Sequence, residues 1–347
     1  MTTGATYGES GWCCWCCSPL LLRLGFSSAG VKVVLLVLLA LTAASGLFSL
    51  IAGSAGLSMK EVVLAIAHRG DLRTETIIWN VRMPKLATAA AVGAALALSG
   101  CIMQNVLRNP LASSSTLGVS QGASFGAAVA IVYFGAGIQV NAGGTSSALT
   151  VTNPALVTLC AFAGGMATTV IILAISRLRG TTPATMVLVG VALSSMFTGG
   201  TALIQYFCDD VMVATVVYWT FGSLGRAGWR DIAIIAVLTF AAFGYFIYNR
   251  WNYNAMESGT STAKSLGVHV DALILSSMAL CALISSVAVA FVGCISFIGL
   301  IAPHIMRRFL GNDYRFLIPG SALCGAALLI GIVIVVLFAV GVLALSE

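Results

Sequence analysis

Nine stretches of this 347-residue chain are apolar over lengths that approach or reach one crossing of a bilayer. They run 33–52, 84–106, 117–136, 154–176, 184–207, 232–248, 272–293, 295–309 and 317–345. A hydrocarbon core of roughly 30 Å takes about 20 helical residues. Within it each backbone N–H and C=O needs a partner from its own segment, so a helix is the form such runs can adopt. Composition removes the soluble alternative: 59% of the residues are hydrophobic and 8% are charged, with a mean hydropathy of +1.02. So few charges cannot clothe a water-facing surface. The expectation is an all-α polytopic membrane protein with about nine transmembrane helices.

Charge sets the orientation. With the N-terminus inside, ten Lys and Arg residues fall on inner loops and seven on outer ones, a modest bias in the direction that topogenesis favours. Residues 1–32 are then a cytoplasmic segment and 33–347 a transmembrane domain, with 249–271 as the longest inward loop. Residues 58–80 read as an external, partly amphipathic segment, and 208–231 as polar and external. The net charge of +6 is spread over short loops and calls for no nucleic-acid partner. Five of the ten cysteines lie inside apolar runs, where a thiol behaves as a small hydrophobe. The cluster Cys13-Cys14-Trp15-Cys16-Cys17 has no histidine beside it and matches no common zinc spacing.

Four constellations stand out. Arg82 and Lys85, three residues apart at the outer end of the second run, are either snorkelling cations or a docking rim for an acidic partner. Asn109-Pro110-Leu111 interrupts two spans, as a plain turn or as a constriction at the inner mouth. Gly118, Gly122 and Gly126 recur every fourth residue and share one helix face, which suits close packing of two helices or of a helix beside a moving path. The inward stretch Ser258 to Val268, containing Gly259, Ala263, Lys264, Ser265, Leu266 and Gly267, is too long for a simple connection. It suits short surface helices on which an attached soluble subunit could pull. His269 and His304 stand singly, and no catalytic or metal-ligating set is expected. No phosphate-binding loop occurs, nor any Gly-Lys pair, and no carboxylate sits in mid-membrane to carry protons. Energy is therefore expected from outside the chain.

Several motifs, in order over roughly residues 60–325, resemble the FecCD-type permeases, the membrane subunits of ABC importers for iron–siderophores, haem and cobalamin. They are Arg82-Met83-Pro84-Lys85, Gly93 to Gly100, Leu107-Arg108-Asn109-Pro110-Leu111-Ala112, Leu117-Gly118-Val119 and Gly190-Val191-Ala192-Leu193. Trp219-Thr220-Phe221-Gly222-Ser223-Leu224, Ala263 to Val268 and Phe297 to His304 complete the set. The resemblance implies a type II ABC importer permease fold in the cytoplasmic membrane of a bacterium or archaeon. It further implies a homodimer of permeases, separate cytoplasmic ATPase subunits that bind the ATP, and an extracytoplasmic substrate-binding protein. It maps receptor docking to Arg82 and Lys85 (a Lys where Arg is usual). The cytoplasmic gate falls on Asn109, Pro110 and Leu111, and ATPase coupling on Ser258 to Val268.

The family has ten helices, whereas nine spans are read here, with Glu347 on the outer side. The expected cargo is a ferric siderophore-type chelate, with haem or cobalamin as alternatives within the family. Two rivals lie outside that reading. A gradient-driven secondary transporter would keep working without ATPase subunits and collapse with an uncoupler. A degenerate paralogue would assemble normally without accumulating substrate.

Overall fold

The computed structural model describes residues 28–51, 58–136, 153–179 and 183–344. The Cys13 to Cys17 cluster, the loop 138–152 and Glu347 lie outside the described residues. In chain order the helices are α1 (Ser28–Ile51), α2 (Met59–Ile66), α3 (Leu72–Ile77), a π-helical turn (Ile78–Arg82) and α4 (Met83–Val106). Next come α5 (Val119–Val132), α6 (Pro154–Arg179), α7 (Pro183–Tyr206), α8 (Asp210–Thr220) and α9 (Trp229–Tyr248). The last are α10 (Arg250–Glu257), α11 (Thr260–Ser265), α12 (Val270–Val292), α13 (Ile298–Leu310) and α14 (Tyr314–Ala344). Seven stretches among them are long and apolar enough to cross a membrane, and α5 and α13 are shorter at 14 and 13 residues. Among the described residues there is no strand. The expected all-helical, multi-pass architecture is therefore the one observed.

The molecule turns apolar side chains outward as well as inward. Leu36 and Leu41 on α1 and Leu188 and Leu203 on α7 are each about 60% exposed or more, which a soluble protein would avoid over such lengths. Helix α4 lies in the middle and is buried over most of its length, packed against α14, α12, α13 and α9. A second core joins α5, α6 and α8 around Ala127, Ala161 and Trp219. Lipid supplies no hydrophobic push between helices, so close approach of small residues has to replace it. A methyl group built on Gly93 would strike the backbone of Gly325, and one on Gly100 the backbone of Gly299. The Gly122 and Gly126 face meets Gly164 and Cys160 of α6 in the same way. Their four-residue spacing thus serves helix packing.

The outer part of α4 explains itself through Pro84. Helix α3, the π turn and α4 form one continuous helical stretch, Leu72–Val106. Met83 N–H donates to the Ile78 carbonyl, five residues back. In that register the next donor would serve the carbonyl of Trp79, but Pro84 has no N–H to give. The indole of Trp229 donates to that carbonyl instead, at 3.3 Å. The reading of 58–80 as separate from the second span is corrected in this respect: its last third is continuous with that span. Residues 208–231 also differ from expectation. They contain the apolar helix α8, preceded by Asp209 in extended backbone at its N-cap position.

Because Gly126 faces backbone, Gly126→Leu should lower stability by about 1–3 kcal/mol. Gly199→Leu, at a position with open space within 4 Å, should not. Thermal unfolding of the two purified variants in detergent checks the difference.

Candidate functional site

The inner end of α4 is closed by a turn whose hydrogen bonds can be followed one by one. Asn109 N–H donates to Gln104 O at 3.1 Å and Arg108 N–H to Asn105 O at 3.0 Å, the paired pattern of a Schellman stop. The residue that must turn left-handed is Arg108, at φ 49°, where glycine is usual. Asn109 then accepts the N–H of Leu111 on its side-chain oxygen at 2.9 Å, an Asx turn that leads into Pro110 and Leu111. Ser113 and Thr116 bond each other through side chain and backbone before α5 begins. Asn109, Pro110 and Leu111 therefore form one rigid reverse turn, with the Leu111 side chain exposed.

The surface helices α10 and α11 lie at the same end of the molecule. They are separated by Gly259 at φ 124°, and α11 stops at Gly267 at φ 83°. Here too the stop is of Schellman type, with Val268 N–H to Ala263 O and Gly267 N–H to Lys264 O, each at 3.0 Å. Ala263 is fully buried, whereas Lys264, Ser265, Leu266 and Gly267 are exposed. The Lys264–Asp271 ion pair at 3.3 Å is well exposed and stabilises little.

A polar fastening joins these helices to the turn. Asn105 donates to the carbonyl of Tyr253 at 3.2 Å and to the carboxylate of Glu257 at 3.4 Å. Glu257 also accepts from Asn312 at 3.0 Å. Asn254 donates to Asp313 at 3.0 Å and accepts the N–H of Tyr314 at 2.8 Å. Buried Tyr253 bonds Ser277 of α12 at 2.7 Å. Next to Asn105, Gln104 accepts from Arg307 at 2.7 Å, and Arg307 reaches Tyr314 at 3.3 Å. The guanidinium of Arg315 holds the Asp313 carboxyl down at a pKa of about 2. Its sign follows: the stabilisation is present above the ordinary carboxylate pKa near 4 and is lost only as pH falls toward 2, so this fastening does not titrate near neutrality. None of these partners was singled out in the sequence. The adjacent amides Gln104 and Asn105 at the end of an apolar helix were the available signal.

At the opposite end the two basic residues separate. Arg82 donates to the carbonyls of Leu50 and Ile51 (3.2 Å to the latter), so its charge is spent on the end of α1. Lys85 points elsewhere, onto the wall of a cavity of about 1170 Å³ that also carries Arg226 and Arg230. The structure thus ties α10, which leads into the Ser258 to Val268 stretch, to the last turn of α4 ahead of Asn109, and sends Arg82 and Lys85 to different neighbours.

Comparison with known proteins gives the chain its relatives. The model of the FecCD transport family matches residues 36–343. A Methanocaldococcus jannaschii protein, provisionally named ABC transporter permease protein MJ0087, is 48% identical over 86% of this chain and 83% of its own length. The hemin transport system permease protein HmuU of Yersinia pestis is 32% identical, over 87% of this chain and 84% of that one. The iron(3+)-hydroxamate import system permease protein FhuB of Bacillus subtilis is 33% identical, over 87% and 75%. Among solved structures, one described provisionally as a metal-chelate type ABC transporter, in an inward-facing conformation, superposes with a TM-score of 0.75 at 26% identity. It covers 88% of this chain and 90% of that one.

The two Schellman stops give a paired expectation. A left-handed residue with a Cβ costs roughly 1–2 kcal/mol. Replacing Arg108 by Gly should therefore raise stability by a few tenths to about 1 kcal/mol once backbone entropy is subtracted. Gly267→Ala should lower it by about 1 kcal/mol. Detergent thermal unfolding of both variants reads the opposite signs.

Proposed function

The chain belongs to the FecCD transport family, and from that membership we propose that it is the membrane-embedded subunit of an ABC importer for a ferric siderophore-type chelate. Separate cytoplasmic ATPases drive it and an extracytoplasmic binding protein loads it. The observation that carries the mechanism is the fastening of α10 to the last turn of α4 through Asn105, Tyr253 and Glu257. An ATPase seated on the exposed Lys264 to Gly267 surface would displace α10 and α11, and the Asn109–Leu111 turn lies four residues beyond Asn105. Closing of the ATPases on nucleotide is thus passed to a gate by hydrogen bonds already in place. Nucleotide and cargo shift the inward-open and outward-open populations only by binding one better than the other. A second copy of the chain completes the path in this reading.

An iron-chelate cargo is supported by chemistry that two relatives share, beside others named for cobalamin. Hemin and iron(3+)-hydroxamate, the ligands in their names, are both iron chelates. A pathway walled by small and weakly polar side chains passes a bulky chelate without retaining it. Docking of the binding protein belongs to the Arg82 and Lys85 end, where rim charges steer encounter and register. Arg82 also holds the end of α1, so Lys85 is the cleaner residue to alter.

Reconstituted with its ATPase and binding protein in proteoliposomes, the chain should accumulate iron-55 supplied as a ferric hydroxamate, in an ATP-dependent manner. Uptake of radiolabelled hemin or cobalamin in its place would redirect the cargo assignment, and uptake without ATP would overturn the importer. Lys85→Glu should remove the stimulation of ATPase activity by the binding protein while leaving complex assembly intact. Glu257→Ala should leave ATPase binding intact and reduce transport per ATP hydrolysed.

A further inference from the structure

The outer-end cavity shares Lys85 with the docking rim, and its charges run against the usual rule. Basic residues are expected inside, and here Lys85, Arg226 and Arg230 line one cleft at the end assigned to the outside. Arg226 lies against Tyr218 and Trp219, with its guanidinium carbon 5.9 and 5.7 Å from the two ring centres. Its Nη1 is buried without a hydrogen-bond partner. The one carboxylate on the cavity wall, Asp231, is already committed: it accepts the Gly228 N–H at 2.9 Å and caps α9. The N-termini of α6 and α9 both open on the cavity, adding partial positive charge to the three cations. Three cations facing one carboxylate, with Arg226 Nη1 unpartnered, call for a further anion.

The lower walls call for something else. They are apolar, formed by Leu159, Phe162, Ile234 and Phe291 of three membrane-spanning helices. Leu159 is 64% exposed and Ile234 41%, so the cleft is open on the side lined by α6 and α9. The aromatic residues Tyr218 and Trp219 line its upper end, the level at which such rings mark the interface. At about 1170 Å³ the cleft exceeds the roughly 300–1,000 Å³ of ordinary small-molecule pockets. It has room for a polar head and the upper part of a chain. A free anion has no use for the apolar walls, and an acidic protein segment would engage a rim and not a lateral cleft.

We propose that this cleft is a lateral site for an anionic phospholipid, with the phosphate between Arg226 and Arg230 and the acyl chains along Leu159, Phe162 and Ile234. The site shares Lys85 with the docking rim but places the phosphate on Arg226 and Arg230, so it stands independently of cargo and coupling. Bound lipid fills the gap between α6 and α9 and supplies the partner that Arg226 lacks.

The full chain, purified in a neutral maltoside detergent, is titrated with dioleoylphosphatidylglycerol, dioleoylphosphatidylcholine or inorganic phosphate. Native mass spectrometry counts the adducts. Phosphatidylglycerol should bind saturably and roughly tenfold or more tightly than phosphatidylcholine, the difference expected for two or three basic residues. The pair Arg226→Gln and Arg230→Gln should lose that preference, whereas Arg226→Lys with Arg230→Lys should keep it, which separates lost charge from lost folding. Leu159→Trp, which fills the apolar part of the cleft, should weaken both lipids. Equal binding of the two lipids overturns the proposal, as does an unchanged preference in the Gln pair. Phosphate competing as well as phosphatidylglycerol overturns the lipid source and leaves a free-anion site. Lys85 is unaltered throughout, so receptor-stimulated ATPase activity should not change, and a failure here leaves the importer reading intact.

Discussion

Backbone-to-backbone contact through glycine is the constraint on which the rest of this structure depends. Helix α4 meets α14 at Gly93 and Gly325 and meets α13 at Gly100 and Gly299, with no space for a Cβ at any of the four. In water such contacts would be secondary to burial of large side chains. In lipid, where tails are as apolar as leucine, they are the chief source of attraction between helices. Dispersion falls off steeply with a gap of even 0.5–1 Å, so the central helix is held only while its neighbours stay this near. The polar fastening at the inner end and the cavity at the outer end are both positioned by that frame.

How much of this can be read in the sequence depends on the range of the interaction. The spans were legible because a 20-residue apolar run has few other uses, and the Gly122 and Gly126 face because its period is local, whereas Gly118 is the left-handed N-cap of α5 and not part of that face. The turn at Asn109 and Pro110 was legible for the same reason. Helix α8 was not, since Asp209 and Asp210 suggested a polar loop where they open a helix of Val211, Val213, Val216 and Val217. The continuity of 72–106 was hidden by Pro84, which ends an α-helix but is accommodated one residue after a π turn. The pairing of Asn105 with Glu257 spans 152 positions and that of Gln104 with Arg307 spans 203. No period or motif encodes such a pairing, and only the packed structure brings it together. Arg82 and Lys85 were read as one rim, but the helical turn between them sends them to different neighbours.

The two ends of the molecule use polar groups differently. At the inner end amides and carboxylates satisfy one another, each bond contributing about 0.5–1.5 kcal/mol net. At the outer end the cations outnumber the available carboxylates, and burial leaves one guanidinium nitrogen without a partner. The first arrangement runs directly from helix to helix, although Asn105 Oδ1 is itself left without a partner, and suits transmission. The second is incomplete and suits the capture of something absent from the chain.

Arg108 gives the inner turn a further property. Gly267 ends α11 in comfort, whereas the equivalent stop on α4 holds a side-chain-bearing residue in the left-handed basin. The bonds that hold it there are local, from Arg108 N–H to Asn105 O and from Asn109 N–H to Gln104 O. The inner end of α4 is thus wound against its own backbone preference by roughly 1–2 kcal/mol.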